Sequence, residues 1–176
     1  MESRFRDTGK TIYEFGHEFL VRCPRCDNCA RVVPKNLDDT DDFAPRRLFC
    51  QRCGNTQDWH ITGKSQSIEF NYYQPPRDPH SIWIGGSFDW YFRLPLWLQT
   101  PCCGKVLWAY NKEHLNFLEN YVKAGLRESF PRKVDETGRV TWRNKSLASR
   151  LPTWMKRAKN RDEVLRGIER LRRKID

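Results

Sequence analysis

The sequence predicts an α+β chain: a metal-knit antiparallel ribbon near the N terminus, additional strands, then a basic helical region. Three observations predict it. Two Cys-x-x-Cys pairs, Cys23/Cys26 and Cys50/Cys53, are flanked by short strand-like runs. Ile68, Phe70 and Tyr72 alternate with polar residues at the strand period. After residue 110, apolar residues recur at helical spacing.

The reading divides the chain into an N-terminal arm (1–16), the ribbon with extra strands (17–75), an aromatic-rich connecting region packing on it (76–110) and a basic helical region (111–176). Within the ribbon, 17–22 form a strand running into the first cysteine pair and 30–33 a return strand. The Pro34–Pro45 stretch carries Asp38, Asp39, Asp41 and Asp42 and reads as a surface loop. Residues 46–49 enter the second pair, 58–62 leave it, and Gly63-Lys64-Ser65 turns toward a strand over 67–73. Pro75, Pro76 and Pro79 break the pattern. Residues 81–100 hold Trp83, Phe88, Trp90, Tyr91, Phe92 and Trp97, and read as loops and short strands.

Asn111 caps a helix over about 112–128, with Glu113 in the first turn and Leu115, Leu118, Tyr121, Val122 and Leu126 on one face. Pro131 lies beyond its end. Residues 129–143 form a linker or short hairpin around Glu136-Thr137-Gly138. A second helical piece starts at 146–150, breaks at Leu151-Pro152 and continues through Trp154, Met155 and Ala158. Asn160 and Glu163 resemble a capping box opening a last helix to about 174, with Val164, Leu165, Ile168 and Leu171 as its apolar stripe. No internal repeat is apparent.

The chain of 176 residues is long enough to bury a real core. No apolar run approaches the roughly 20 residues that span a bilayer, and the first residues lack a signal-peptide pattern, so the expectation is a cytoplasmic protein with no membrane partner. Seven cysteines is an odd number for a disulfide framework. In a reducing compartment, paired Cys-x-x-Cys reads as metal ligation, here one structural Zn2+ held by Cys23, Cys26, Cys50 and Cys53. Gly54 supplies the permissive backbone that the second knuckle needs. Cys29 reads as a small residue on the return strand, and His60 as structural.

Cys102 and Cys103 are adjacent within Pro-Cys-Cys-Gly-Lys. They read as a tight turn with a buried thiol; alternatives are a second metal site including Cys29 or a His, or a reactive thiol with His114 as base. A hard cation in the four-Asp loop is a further alternative to a solvated loop. No Gly-rich phosphate loop, paired-carboxylate pattern or Ser/His catalytic motif is present.

Charge is uneven. Residues 1–100 hold 13 basic and 13 acidic residues, so the entire net +10 lies beyond them. This asymmetry points to an anionic partner, the alternative being a solvated basic face. The leading expectation is non-enzymatic nucleic-acid binding through Lys156, Arg157, Lys159, Arg161, Arg166, Arg170, Arg173 and Lys174, with Arg25 and Arg52 at the knuckle tips. The second is a protein-interaction adaptor anchored by Trp83, Trp90 and Trp97, the third a cysteine-dependent enzyme.

Several segments together carry a resemblance: the knuckles, Leu94-Pro-Leu-Trp-Leu-Gln-Thr-Pro-Cys-Cys-Gly104, Leu107-Trp-Ala-Tyr-Asn111 with His114-Leu115, Ser146-Leu-Ala-Ser-Arg-Leu-Pro152 with Trp154-Met-Lys156, and Lys159-Asn-Arg-Asp-Glu-Val-Leu165. From about residue 20 on, the chain resembles a family of small bacterial zinc-ribbon-containing proteins of the transcription-factor-IIB type. The resemblance implies the ribbon and a helical C-terminal part, and no activity. Cys29 departs from the family's usual first knuckle, which argues against its being a ligand. Cys102-Cys103 falls within a shared motif, which implies a structural or metal-linked role. Likeness to the general transcription factor is confined to the ribbon.

Overall fold

The structure, a computed structural model, describes residues 3–36, 38–61, 68–70, 81–128, 136–138 and 146–176. The expected turn at 63–65, the prolines at 75, 76 and 79, Tyr72 and Pro131 lie outside these residues. So does most of the 129–143 linker, of which 136–138 form a turn.

Four strands make the largest sheet: β2 (Phe19–Arg22), β3 (Cys29–Pro34), β4 (Arg46–Phe49) and β5 (Thr56–Trp59), antiparallel in that order. The register places Phe19 opposite Val32, and Val32 opposite Leu48. With Val21 and Ala30, these side chains are buried on the inner face, while Arg31, Arg47 and Phe49 point outward. Arg46 also turns inward. Its guanidinium lies 4.7 Å from the Tyr91 ring centroid and donates to the Asp41 carbonyl at 3.0 Å. β2 is not a bare edge, because Leu20 N–H donates to the Tyr110 carbonyl and Arg22 N–H to that of Pro95.

Residues 3–16 are docked, not a loose arm. β1 (Arg4–Arg6) pairs in parallel with β10 (Leu126–Glu128), and Phe5 packs edge-on against Phe117 and Tyr121. A 3-10 turn over Ile12–Phe15 buries Phe15 completely. Asp7 and Ser146 form a buried hydrogen bond of 2.6 Å. Two buried aromatics and this polar clasp hold a segment whose mixed composition gave little sign of order.

Ile68–Phe70 (β6) pairs in parallel with Ile82–Ile84 (β7). Leu98–Cys102 (β8) and Lys105–Ala109 (β9) form a hairpin. Helix α1 (Lys112–Lys123) begins as expected at Asn111, whose Oδ1 accepts from His114 N–H. The same carboxamide donates to the Phe15 and Glu18 carbonyls at 2.9 Å, fixing the helix start to the entry of β2. α1 ends five residues before the expected 128. Ala124 turns extended, Gly125 N–H bonds Ser3, and Leu126 leaves the apolar stripe to enter β10, half exposed. Strand pairing with β1 therefore replaces the last helical turn.

The C-terminal region breaks more often than expected: α2 (Leu147–Arg150), α3 (Thr153–Lys156), a 3-10 turn at Ala158–Asn160, and α4 (Arg161–Arg172). Ser146 caps α2, and Pro152 sits one residue ahead of α3. The Asn160/Glu163 box does not form. Asn160 donates to the Trp154 carbonyl, and the Glu163 carboxylate accepts from Cys103 N–H. Val164, Ile168 and Leu171 are buried where α4 packs on α1 and β8. Arg172 ties the helices together through Asn116 and Glu119.

Trp90 is the centre of the core. It is fully buried, donates from Nε1 to the Tyr110 hydroxyl at 2.9 Å and meets Phe19 edge-on. Gly16 lies against its ring: a Cβ there would sit 2.5 Å from two ring carbons. Gly16→Ala is therefore expected to cost about 1–3 kcal/mol by overpacking, read as a lowered urea midpoint with unchanged slope.

Candidate metal centre and basic surface

The cysteine pairs occupy equivalent turns at the β2–β3 and β4–β5 ends of the large sheet. In the first, Cys23 N–H donates to the Asn28 carbonyl and Asp27 N–H to that of Cys23. In the second, Cys50 N–H donates to the Asn55 carbonyl and Gly54 N–H to that of Cys50. All four bonds measure 2.8–2.9 Å. Asp27 and Gly54 both take left-handed backbone, with φ of 57° and 70°. The turns are thus a structural repeat, Cys-Pro-Arg-Cys-Asp-Asn and Cys-Gln-Arg-Cys-Gly-Asn, which corrects the expectation of none. Its two copies are only six residues long, and glycine at one copy and aspartate at the other mask it.

The repeat brings Cys23, Cys26, Cys50 and Cys53 together, with all four sulfurs within 4.8 Å of one another. Cys23 and Cys53 lie 3.7 Å apart, and Cys26 and Cys50 3.6 Å. Thiolates bound at about 2.3 Å around a tetrahedral ion stand about 3.8 Å apart, so the spacing fits one shared metal ion. Backbone and side-chain donors support the sulfurs: Arg25 N–H reaches Cys23 Sγ at 3.4 Å, and the Asn55 amide reaches it at 3.7 Å.

Electrostatics argues the same way. Burial opposes ionisation of Cys23, but N–H donors from Arg25, Cys26 and Asn55 prevail and draw its thiol down to about 6. At Cys53 the Asn55 amide favours the thiolate, yet burial and the three neighbouring sulfurs push it up to about 12. Four thiolates at this spacing need a cation among them.

Cys29 stands apart from the cluster, at the start of β3, with burial pushing its thiol up to about 11. His60 is exposed just beyond β5. The four-Asp loop turns its acids on itself: Asp39 accepts from Asp41 N–H, and Asp41 from Phe43 N–H.

Cys102 ends β8, buried as expected, and Cys103 opens the two-residue turn of the β8–β9 hairpin. Among the described residues, neither Cys29 nor a histidine joins them. Their neighbour is Glu163, a contact without a sequence signal because the two sites are 60 residues apart. His114 is not poised as their base. Its ring stacks on Phe15, and Nδ1 accepts from Tyr110 N–H at 3.3 Å. Burial lowers its pKa from 6.5 to about 3, leaving it neutral.

The predicted basic surface divides. Lys156 donates to the Ser149 carbonyl, Arg161 to Ala124 and Arg170 to Pro101. Arg173 pairs with Glu169. Lys174 bonds the Trp97 and Gln99 carbonyls and covers the Trp97 ring. Arg25, Arg52, Arg157, Lys159 and Arg166 are exposed, and so are Arg170, Arg173 and Lys174 despite their bonds. Of these, Arg166 faces Glu163 electrostatically. Among adaptor anchors, Trp83 and Trp90 are buried and Trp97 is half covered by Lys174. No helix among the described residues is long and apolar enough to cross a membrane.

Fold and site define a mixed helix-and-strand chain whose antiparallel sheet ends in a four-cysteine cluster able to hold a metal ion. No protein-family model, curated protein or solved structure matches it.

The neutral core histidine has a pH consequence. Below 6.5 the unfolded chain takes up a proton that the native ring refuses down to about 3, so stability falls as pH drops through that window. The expected slope from this ring is about 1.4 kcal/mol per pH unit. His114→Asn, which keeps an acceptor for Tyr110 N–H, should show a shallower fall in urea titrations between about pH 6 and 4.

Proposed function

We propose that the chain is a zinc-ribbon protein of the family its sequence resembles: non-enzymatic, with one structural Zn2+ at Cys23, Cys26, Cys50 and Cys53, and binding nucleic acid through an arginine-led surface. Zinc suits four thiolates in a closed tetrahedral set, and such a set leaves no position for a reacting water. The ion therefore holds the two knuckles in place and presents what stands on their tips.

The observation that carries the nucleic-acid reading is the paired placement of Arg25 and Arg52. They occupy the same position in the two copies of the knuckle, both exposed, and no side-chain partner engages either among the described residues. Among the described residues no bond holds the side chains of Arg157 and Lys159 either, and the chain carries net +10. Guanidinium groups exposed on a rigid turn suit phosphate oxygens. The engaged cations, Lys156, Arg161, Arg170, Arg173 and Lys174, serve chiefly to hold the C-terminal helices and contribute long-range potential. The adaptor alternative is weaker because two of its three tryptophan anchors lie in the core.

Two measurements test this. Zinc should co-purify with the chain, and Cys23→Ser/Cys50→Ser should abolish the four-thiolate ion and lower the melting temperature; a double variant as stable and as metal-rich as wild type would refute the site. Labelled duplex DNA and single-stranded RNA should show binding at low salt that weakens steeply as salt rises. Arg25→Ala/Arg52→Ala should lower the slope of log affinity against log salt by about two. Absence of binding to either probe at low salt would end the nucleic-acid reading.

A further inference from the structure

The hairpin turn of β8–β9 holds a second group of metal-binding atoms. Cys102 Sγ and Cys103 Sγ stand 3.8 Å apart, and a Glu163 carboxylate oxygen lies within 4.8 Å of both. The sulfur spacing equals the roughly 3.8 Å of two thiolates sharing a tetrahedral ion. Adjacent cysteines reach it because of an uncommon backbone. Cys103 and Gly104 both take positive φ, 51° and 67°, so the turn curls both thiols to one side. Such a two-residue turn usually places Asn or Asp where Cys103 stands, since their side chains tolerate the left-handed region.

Helix α4 supplies the third donor and fixes its position. Glu163 accepts the Cys103 N–H at 2.5 Å, which holds the carboxylate against the turn. Gly167, one turn further along α4, lets the helix approach: a Cβ there would lie 2.8 Å from Leu107 Cδ2 and 3.5 Å from Cys102 Sγ. Cys102 is buried, whereas Cys103 is partly exposed and Glu163 exposed, so an ion has a path from solvent. Arg166 and Arg170 lie close enough to act electrostatically on Glu163, and they offset the negative charge left when two thiolates and a carboxylate surround a divalent cation.

The geometry points to Cys102, Cys103 and Glu163 as a second site, separate from the four-cysteine cluster, for a thiophilic divalent cation of the zinc class. Two sulfurs and one oxygen supply three donors and leave a fourth position to solvent or to a ligand from outside. On binding, the two thiol protons are released to water and two metal–sulfur bonds form without change of oxidation state. Glu163 is both the clamp of the turn and a ligand, and these roles separate experimentally. Gln at this position still accepts the Cys103 N–H but brings no charge to the metal.

The test uses the full chain, reduced, stripped of metal and titrated with Co2+, with metal content and thiolate-to-cobalt absorption as readouts. Cys103→Ser and Glu163→Gln are each expected to remove one bound ion per chain, or to weaken it at least tenfold, with near-ultraviolet circular dichroism unchanged. The difference between wild type and variant is the measured quantity, so it holds whether or not the four-cysteine cluster fills. Equal uptake and equal spectra in wild type and in the two folded variants would overturn the site.

Discussion

Four sulfurs within 4.8 Å impose the constraint on which the N-terminal half depends. Neutral thiols pack there at little cost, but thiolates repel, and the hydrogen bonds that surround Cys23 favour its thiolate. The turns are built for charge that only a cation balances. Because the two pairs close the β2–β3 and β4–β5 connections side by side, an ion held by all four sulfurs would couple those connections and support the register of strands only four to six residues long. The aromatic core around Trp90 supports the inner face of the same sheet, and Arg46 joins the two by lying over Tyr91.

Several C-terminal basic residues are bonded within the fold while staying on its surface. Arg170 and Lys174 spend their donors on carbonyls of the β8 segment, and Arg172 bridges to α1. A long cationic side chain brings an apolar stem and several donors, which suits it to covering backbone that a helix docks against. What remains for a partner is narrower: the two knuckle arginines and the cations around the start of α4 and just before it.

The legible parts of the fold were those fixed by local chemistry. The cysteine spacing named the four residues that cluster, Asn111 named the helix start, and the run into the first cysteine pair named the strand that becomes β2. Illegible parts were decided by distant partners. Leu126 fits the α1 stripe, yet β1 draws it into a strand. Glu163 fits a capping box, yet the Cys103 amide, 60 residues away, takes its carboxylate. His114 at a helix start looks accessible until Phe15, Trp108 and Tyr110 enclose it. In each case two local roles were available, and tertiary packing chose between them.

The parallel pairing of β1 with β10 also sets an order of events. Ser3 and Lys123 meet across 120 residues, and the β1 partner lies beyond helix α1. During synthesis the first strand has no partner until residue 128 has emerged, well after the residues of the knuckles have been made. The beginning of the chain can therefore complete its pairing only after most of the chain has been made. Closing so large a loop is slow, and until it closes Phe5 stays exposed on an unpaired strand. An unpaired strand of this kind is a place where proteases or a second copy of a chain can engage before the loop closes.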